Sequence, residues 1–340
     1  MDKRQSNKIL SVIVPVFNGE KYLSECLKAL LNQGLAEQDY EVIVVNDGST
    51  DETESIIDLF CKHSSIIKKV NKSNGGVSSA RNMGIETSQS SYITFVDADD
   101  KIGDNVYSAI MQYVLKNNLD GFFFEKTRDE QTLVHDISIF DIEAKANICS
   151  SLEASGIGGV IYKNSILTEH KILFDTLMIN AEDLLFNFYY AQRVHKVGNV
   201  LLPFYFYRTN DDSVTRRLFR NRTVYGDLTA REYRCYLSLL RFLTKLNENR
   251  IEYSQSLLCE RLLSVMMREI LWTGVRSFYN PITVLNDISS HGLSLTDIRF
   301  KYIEGDSFKQ WVKNGIKCFL RYPVIFKGIC FAWRHIKGKM

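Results

Sequence analysis

The chain has 340 residues, a formal net charge of +2, and 45% hydrophobic against 24% charged residues. That length admits two domains with real cores, and the balance carries no overall basic signature, so no nucleic-acid partner is expected. Its seven cysteines form no C-x-x-C pair and its six histidines no H-x-x-x-H pair, which argues for a reducing compartment and against a zinc or redox centre.

Met1–Lys8 is polar, and the apolar run Ile9–Phe17 contains Pro15 and no small-residue cleavage site, so it is not read as a signal peptide. No apolar stretch reaches the roughly 18 residues that a membrane-spanning helix needs. A cytoplasmic location is the expectation.

In chain order, Ile9–Phe17 reads as a strand. Asn18 is expected to cap a helix whose Tyr22, Leu23, Cys26, Leu27, Leu30 and Leu31 recur with helical period. Tyr40–Asn46 is a second strand, ending at Asp47-Gly48. Ser49-x-x-Glu52 reads as a capping box for a helix with Ile56, Ile57 and Phe60 on its apolar face. Ile66–Asn71 is a shorter strand, Asn74-Gly75-Gly76 a turn, and Val77–Glu86 a helix. A fourth apolar run, Tyr92–Val96, ends abruptly in Asp97-Ala98-Asp99-Asp100. This alternation of strand and helix predicts right-handed crossovers and a mostly parallel α/β sheet.

Such sheets bind ligands at the carboxyl ends of their strands. Unpaired desolvated carboxylates are unfavourable there, and a divalent cation with hard oxygen ligands, magnesium or manganese, would relieve them. On D-A-D-D alone, a plain polar turn is as good a reading as a metal site. The other strand ends add an aromatic ring able to stack on a base (Phe17), a carboxylate able to accept from a base N–H (Asp47), and a glycine pair that lets backbone approach a ligand (Gly75, Gly76). Singly these fit a core residue, a common turn and a hinge. Gathered on one edge, they are the parts of a nucleotide-diphosphate site. No G-x-x-x-x-G-K-[ST] is present, and Gly156-Ile157-Gly158-Gly159 lacks the third glycine of a dinucleotide fingerprint and follows no clear strand.

S-V-I-V-P-V-F-N-G-E-K-Y-L, V-V-N-D-G-S-T-D-E-T, N-G-G-V-S-S-A-R-N-M-G-I and F-V-D-A-D-D resemble, in order and spacing, the nucleotide-binding domain of family 2 glycosyltransferases. The resemblance is strong over about residues 8–125 and weaker to about 215. It implies a GT-A fold in which Pro15, Phe17 and Asp47 hold the uracil end of a nucleotide sugar, with Gly76 and Ala98 lining it and Arg81 beside the nucleotide. Asp97 would contact ribose or metal-bound water, Asp99 would hold the metal, and Asp100 would support them. Arg81 taken alone is equally a salt bridge supporting its loop.

Transfer by direct displacement needs one general base. Glu182-Asp183 in N-A-E-D-L-L-F opens an apolar helix, where acidic residues favour folding by themselves by roughly 0.3–1 kcal/mol. The family resemblance makes Asp183 the base, with Glu182 orienting the acceptor or holding the loop. Pro203–Thr215 reads as a polar loop after a short strand, and similarity to the family implies that Arg208 and Ser213 close over the diphosphate. Phe122-Phe123-Phe124 and Gly156–Phe174 are expected to form an acceptor-side insertion.

Beyond about residue 216 the pattern becomes helical, giving a GT-A domain over 1–215, with its acceptor side at about 120–215, and a helical region over 216–340. Residues 307–340 contain no Asp or Glu. Lys309, Lys313, Lys317 and Arg321 lie opposite Phe308, Trp311, Ile316 and Phe319. That pattern predicts a helix lying on a membrane surface, with packing on the helical region as the other reading.

The expected activity is metal-dependent inverting transfer of a hexosyl or N-acetylhexosaminyl group from a nucleotide-diphospho-sugar, a UDP-sugar above all, to a glycan or lipid-linked hydroxyl in surface polysaccharide synthesis. The alternatives are a GT-A scaffold without catalysis and a sugar nucleotidyltransferase. The latter needs a Gly-rich basic loop after the first strand, which P-V-F-N-G-E-K does not resemble.

Overall fold

The computed structural model describes residues 8–138, 156–179, 181–209, 238, 241, 242, 244 and 245. Ser213, the helical region over 216–340 (a few isolated positions apart) and the basic tail lie outside the described residues. The chain divides into two compact units, one of residues 1–177 and 182–211 and the other of 178–181 and 212–340.

The first unit is built on an eight-stranded sheet in the order β3-β2-β1-β4-β7-β6-β8-β5. Its strands are β1 (Leu10–Val16), β2 (Tyr40–Asn46), β3 (Ile67–Asn71), β4 (Tyr92–Phe95), β5 (Lys101–Ile102), β6 (Gly121–Thr127), β7 (Val160–Lys163) and β8 (Val197–Phe206). The helices are α1 (Leu23–Leu31), α2 (Thr53–His63), α3 (Val77–Thr87), α4 (Val106–Asn117), α5 (Asn164–Glu169) and α6 (Glu182–Ala191). β1 and β2 are buried at every position, as unbroken Val/Ile runs require when helices cover both faces.

Strand direction decides what meets what. β1 pairs in parallel with β2 and β4, and β2 with β3. β7 runs antiparallel to β4 and β6, β6 runs parallel to β8, and β5 runs antiparallel to β8. One edge of the sheet therefore carries the C-terminal ends of β1–β4, β6 and β8 together with the N-terminal ends of β5 and β7. Pro15 is tolerated in central β1 for a local reason. Ile13 O accepts from Val96 N, so the odd positions of β1 turn their backbone groups toward β4. The last β1–β4 partners are Ile13 and Phe95, so Pro15 comes where no partner needs its missing N–H.

Four sequence expectations are corrected. Asn18 does not cap α1, which starts at Leu23; it adopts φ 51° and locks two loops together. Ser49 does not form a capping box, because α2 begins only at Thr53 and its N-cap has no side-chain bond; its hydroxyl instead accepts from Asn18 N at 3.0 Å. Phe122–Phe124 is no insertion but the buried middle of the sheet. Pro203 lies inside β8 and not in a loop. The β6–β8 register shifts beside Glu125, and such an irregularity spares Pro203 a ladder bond.

Candidate active site

At the end of β1, Phe17 is 50% exposed and so is not a core residue. The turn behind it is tied to the one after β2: Thr50 N donates to Asn18 Oδ1 at 2.8 Å and Gly19 N to Thr53 Oγ1 at 2.8 Å. Asp47 is 3% exposed, and its carboxylate is already engaged. Oδ1 accepts from Gly75 N at 2.9 Å and from the Lys72 ammonium at 2.5 Å, and Oδ2 accepts from Gly76 N at 2.8 Å. Gly48 and Gly76 have φ 74° and 86°, conformations that favour glycine. A Cβ on Gly48 would stand 2.9 Å from Asn74 N. The loops after β1, β2 and β3 thus form one bonded assembly, in which Asp47 shapes the Gly75-Gly76 backbone.

The second half of the site is organised by Arg81 on α3, which is 5% exposed. Its guanidinium reaches Asp97 Oδ1 at 2.9 Å and Glu182 Oε1 at 3.1 Å, joining the end of β4 to the start of α6. Burial alone would lower the Arg81 pKa, but Asp97 and Glu182 outweigh it and the net direction is upward. The Glu182 carboxyl is raised by burial and by Asp183 beside it, against the pull of Arg81. Asn82 holds the neighbouring segment reciprocally, donating to Phe174 O at 2.9 Å and accepting from Phe174 N at 2.8 Å. Arg81 also lies over the Phe174 ring at 5.3 Å. Asp183 receives Leu184 N on Oδ1 at 2.8 Å.

The acids of D-A-D-D divide by environment. Asp97 is 32% exposed at its side chain, and Asp99 is half-buried. Asp100 is 2% exposed, where Oδ2 accepts from Tyr205 Oη at 2.7 Å and Oδ1 from Arg208 N at 2.9 Å. Burial first, then Asp97 and Asp99, push the Asp100 carboxyl up to about 8. The same acids add to the burial that raises the Cys26 thiol. This crowding of negative charge fits a divalent cation at Asp97 and Asp99, with Asp100 supporting the loop. Among the described residues no three acids, histidines or cysteines cluster to hold an ion without other ligands, so a diphosphate or water would complete its coordination.

Arg208 is the most heavily engaged cation of this edge. It donates from Nε to Asp99 O at 2.9 Å and from Nη2 to Glu25 Oε2 at 2.7 Å, and it lies over the Tyr22 ring at 4.9 Å. Ala98 is half-buried between the acids. The structure therefore brings Pro15, Phe17, Asp47, Gly76, Arg81, Asp97, Ala98, Asp99, Glu182, Asp183 and Arg208 to one edge of the unit.

Sequence reasoning missed Lys72, Asn82, Tyr205 and Lys126. Lys72 lies two residues before the Asn74–Ile85 motif, and Asn82 lies inside it next to Arg81. Tyr205 accepts from Asp97 N at 3.1 Å besides holding Asp100, and Gly158 makes room for it. A Cβ on Gly158 would stand 2.5 Å from the Tyr205 ring, which gives the glycine-rich run a packing reason in place of a nucleotide one.

Residues 11–140 match the family described as Glycosyl transferase family 2, and that segment is a domain of this family. The uncharacterized glycosyltransferase EpsJ of Bacillus subtilis strain 168 is 30% identical over 218 residues, 61% of this chain and 63% of EpsJ. The teichoic acid poly(glycerol phosphate) polymerase of Staphylococcus epidermidis is 31% identical over 206 residues, 58% of this chain and 28% of that protein. The chain thus spans less than two thirds of the length of these relatives. S. aureus TarS 1-349, solved in complex with UDP-GlcNAc, superposes with a TM-score of 0.65 at 19% identity, covering 86% of this chain and 82% of that one. The GT-A arrangement expected from the motifs is the fold observed. No described helix is long and apolar enough to cross a membrane.

Proposed function

We propose that the chain is a divalent-metal-dependent, inverting glycosyltransferase that moves a hexosyl or N-acetylhexosaminyl group from a UDP-sugar to a hydroxyl of a glycan or lipid-linked acceptor. The observation that carries this reading is the Arg81 fork. It fixes an acid of the nucleotide end, Asp97, beside the Glu182-Asp183 pair at which a hydroxyl could be deprotonated. TarS was solved with UDP-GlcNAc, and one relative is named for poly(glycerol phosphate) synthesis; both favour a UDP-sugar and a surface polymer as the setting.

In this reading Phe17 stacks on the base, and Asp47 with the Gly75-Gly76 backbone reads its edge. Manganese or magnesium would be held by Asp99 with Asp97 beside it, and when bound would neutralise charge on the leaving diphosphate. Asp183 takes the proton of the acceptor hydroxyl as its oxygen attacks the anomeric carbon. The bond from that carbon to the diphosphate oxygen breaks, and the nucleoside diphosphate leaves. Only one carboxylate acts on the reacting atoms, which fits inversion. Ser213 and Arg208 would close over the diphosphate, with residues 1–215 as the catalytic domain and 307–340 as a peripheral membrane contact.

A panel of nucleotide sugars with manganese, scored by release of nucleoside diphosphate, tests the reading. Turnover with at least one UDP-sugar is expected. No release with any donor, together with no nucleotide binding by calorimetry, would sink it and leave a non-catalytic GT-A scaffold.

A further inference from the structure

Lys126 follows the buried run Gly121–Phe124 and Glu125 near the C-terminal end of β6, on the same sheet edge as the acids. The β6–β8 register shifts on both sides of Glu125 and then pairs Lys126 with Tyr205. A bulge of this kind re-aims side chains and recurs beside functional sites. The ammonium lies over the Tyr205 ring at 5.3 Å and the Tyr207 ring at 6.0 Å. A Cβ placed on Gly156 would stand 2.8 Å from Lys126 Nζ and 3.8 Å from Asp183 Oδ2, so cation and carboxylate flank the same small space. Arg128, two residues further along and exposed, lies over the other part of this ladder, 5.6 Å from Tyr207.

Burial holds the Lys126 pKa below its ordinary value, and the pull of Asp97, Asp183 and Asp100 offsets this only in part. Among the described residues its contacts are the two rings, with no direct carboxylate partner. A cation set into a half-buried site without an ion pair is unfavourable for folding and is suited to an anion brought by a ligand. The strand order gives the direction: two strands separate β6 from β1, where the base-stacking ring ends, and Lys126 shares its space with Asp183, the side from which an acceptor hydroxyl arrives.

We propose that Lys126, with Arg128 and the half-buried Tyr207 ring, forms an acceptor subsite for a phosphate group, so that the acceptor is a polyol phosphate or phosphate-bearing glycan whose hydroxyl is presented to Asp183, while the buried Tyr205 ring backs the Lys126 ammonium from beneath. The inference rests on Asp183 being the base. The Tyr207 ring covers the apolar edge of the polyol, Lys126 pairs with the phosphate nearest the reacting hydroxyl, and Arg128 meets the next anion toward solvent.

The test uses the full chain saturated with UDP and manganese, and the probes are sn-glycerol 3-phosphate and glycerol in ligand-observed NMR titrations. The wild type is expected to prefer the phosphate probe by roughly tenfold, the size of one charge-assisted hydrogen bond. Lys126→Met should abolish the preference, Lys126→Arg should keep most of it, and the exposed Arg128→Ala should reduce it by a few-fold. UDP affinity should stay within about twofold in all three. Equal binding of both probes by the wild type, or an unchanged preference in Lys126→Met, overturns the subsite. So does parallel loss of UDP affinity, which would move the cation to the donor diphosphate. If Lys126→Met does not fold, an unchanged preference in Arg128→Ala overturns it instead. Failure of the wild type to bind UDP at all would bring down the glycosyltransferase reading and this one with it, whereas UDP binding without a phosphate preference ends this one alone.

Discussion

Asp97 and Glu182 are held by one guanidinium, Arg81, which donates to the first at 2.9 Å and to the second at 3.1 Å. One acid closes a strand and the other opens a helix much later in the chain. Without the cation between them, two carboxylates would share a poorly solvated space.

Arg81→Met should therefore destabilise the protein by roughly 3–5 kcal/mol, the usual penalty for leaving buried charge uncompensated. Arg81→Lys should recover only part of this, because an ammonium cannot fork to both acids in fixed geometry. Urea unfolding followed by circular dichroism measures both. Stability of Arg81→Met within about 1 kcal/mol of wild type would mean that the fork contributes nothing net.

Asp183→Asn should leave UDP affinity nearly intact and lower sugar transfer by roughly 100- to 10,000-fold, the range of a lost general base. Calorimetry with UDP beside a turnover assay separates the two effects. Loss of UDP affinity with turnover per bound complex unchanged would make Asp183 a structural residue of the α6 start.

For the metal, Asp99→Ala should abolish manganese-dependent UDP binding, Asp97→Ala should weaken it, and a chelator should reproduce the Asp99 effect in the wild type. Asp97 already gives one oxygen to Arg81, which is why its loss should matter less. Full metal-dependent affinity in Asp99→Ala would remove that residue from the coordination.

Asp100 makes a pH prediction for the metal-free chain. Its folded pKa is raised to about 8 from an unfolded value of about 3.9. Between these values the folded state keeps a proton that the unfolded state has released. The contribution is therefore fully present below about pH 4 and is lost as pH rises toward about 8. Stability measured across this window should fall with pH more steeply in wild type than in Asp100→Asn. Parallel curves would mean that Asp100 is ionised throughout.

What could be read from the sequence was what is local. The strands β1–β4, the glycine turns and the D-A-D-D end are each set by a few adjacent residues, and parallel topology then gathers them on one edge. Helix starts failed because Asn18 and Ser49 satisfy each other across two loops in place of capping their own helices. Lys126 was illegible because its aim depends on the register shift at Glu125, a property of pairing with β8 that no local pattern in β6 encodes. Tyr205 fell in the segment read as a polar loop, and only tertiary contact with Asp97 N and the Asp100 carboxylate distinguishes it. The Glu182-Asp183 assignment needed the family resemblance, since two acids at a helix start have a sufficient structural reason to be there.

Phe17 offers the cleanest separation of binding from folding. It is 50% exposed at the tip of β1, so truncation removes little buried surface and Phe17→Ala should leave the melting temperature within a few degrees of wild type. A ring stacked on a base contributes roughly 1–3 kcal/mol, so the same substitution should weaken UDP binding by about tenfold or more. Phe17→Tyr, which keeps the ring, should restore the affinity. Uridine in place of UDP should suffer a similar proportional loss, because the stacked group is the base and the diphosphate plays no part. Unchanged affinity for both ligands would place the base elsewhere on this edge, and equal losses of affinity and melting temperature would return Phe17 to a packing role.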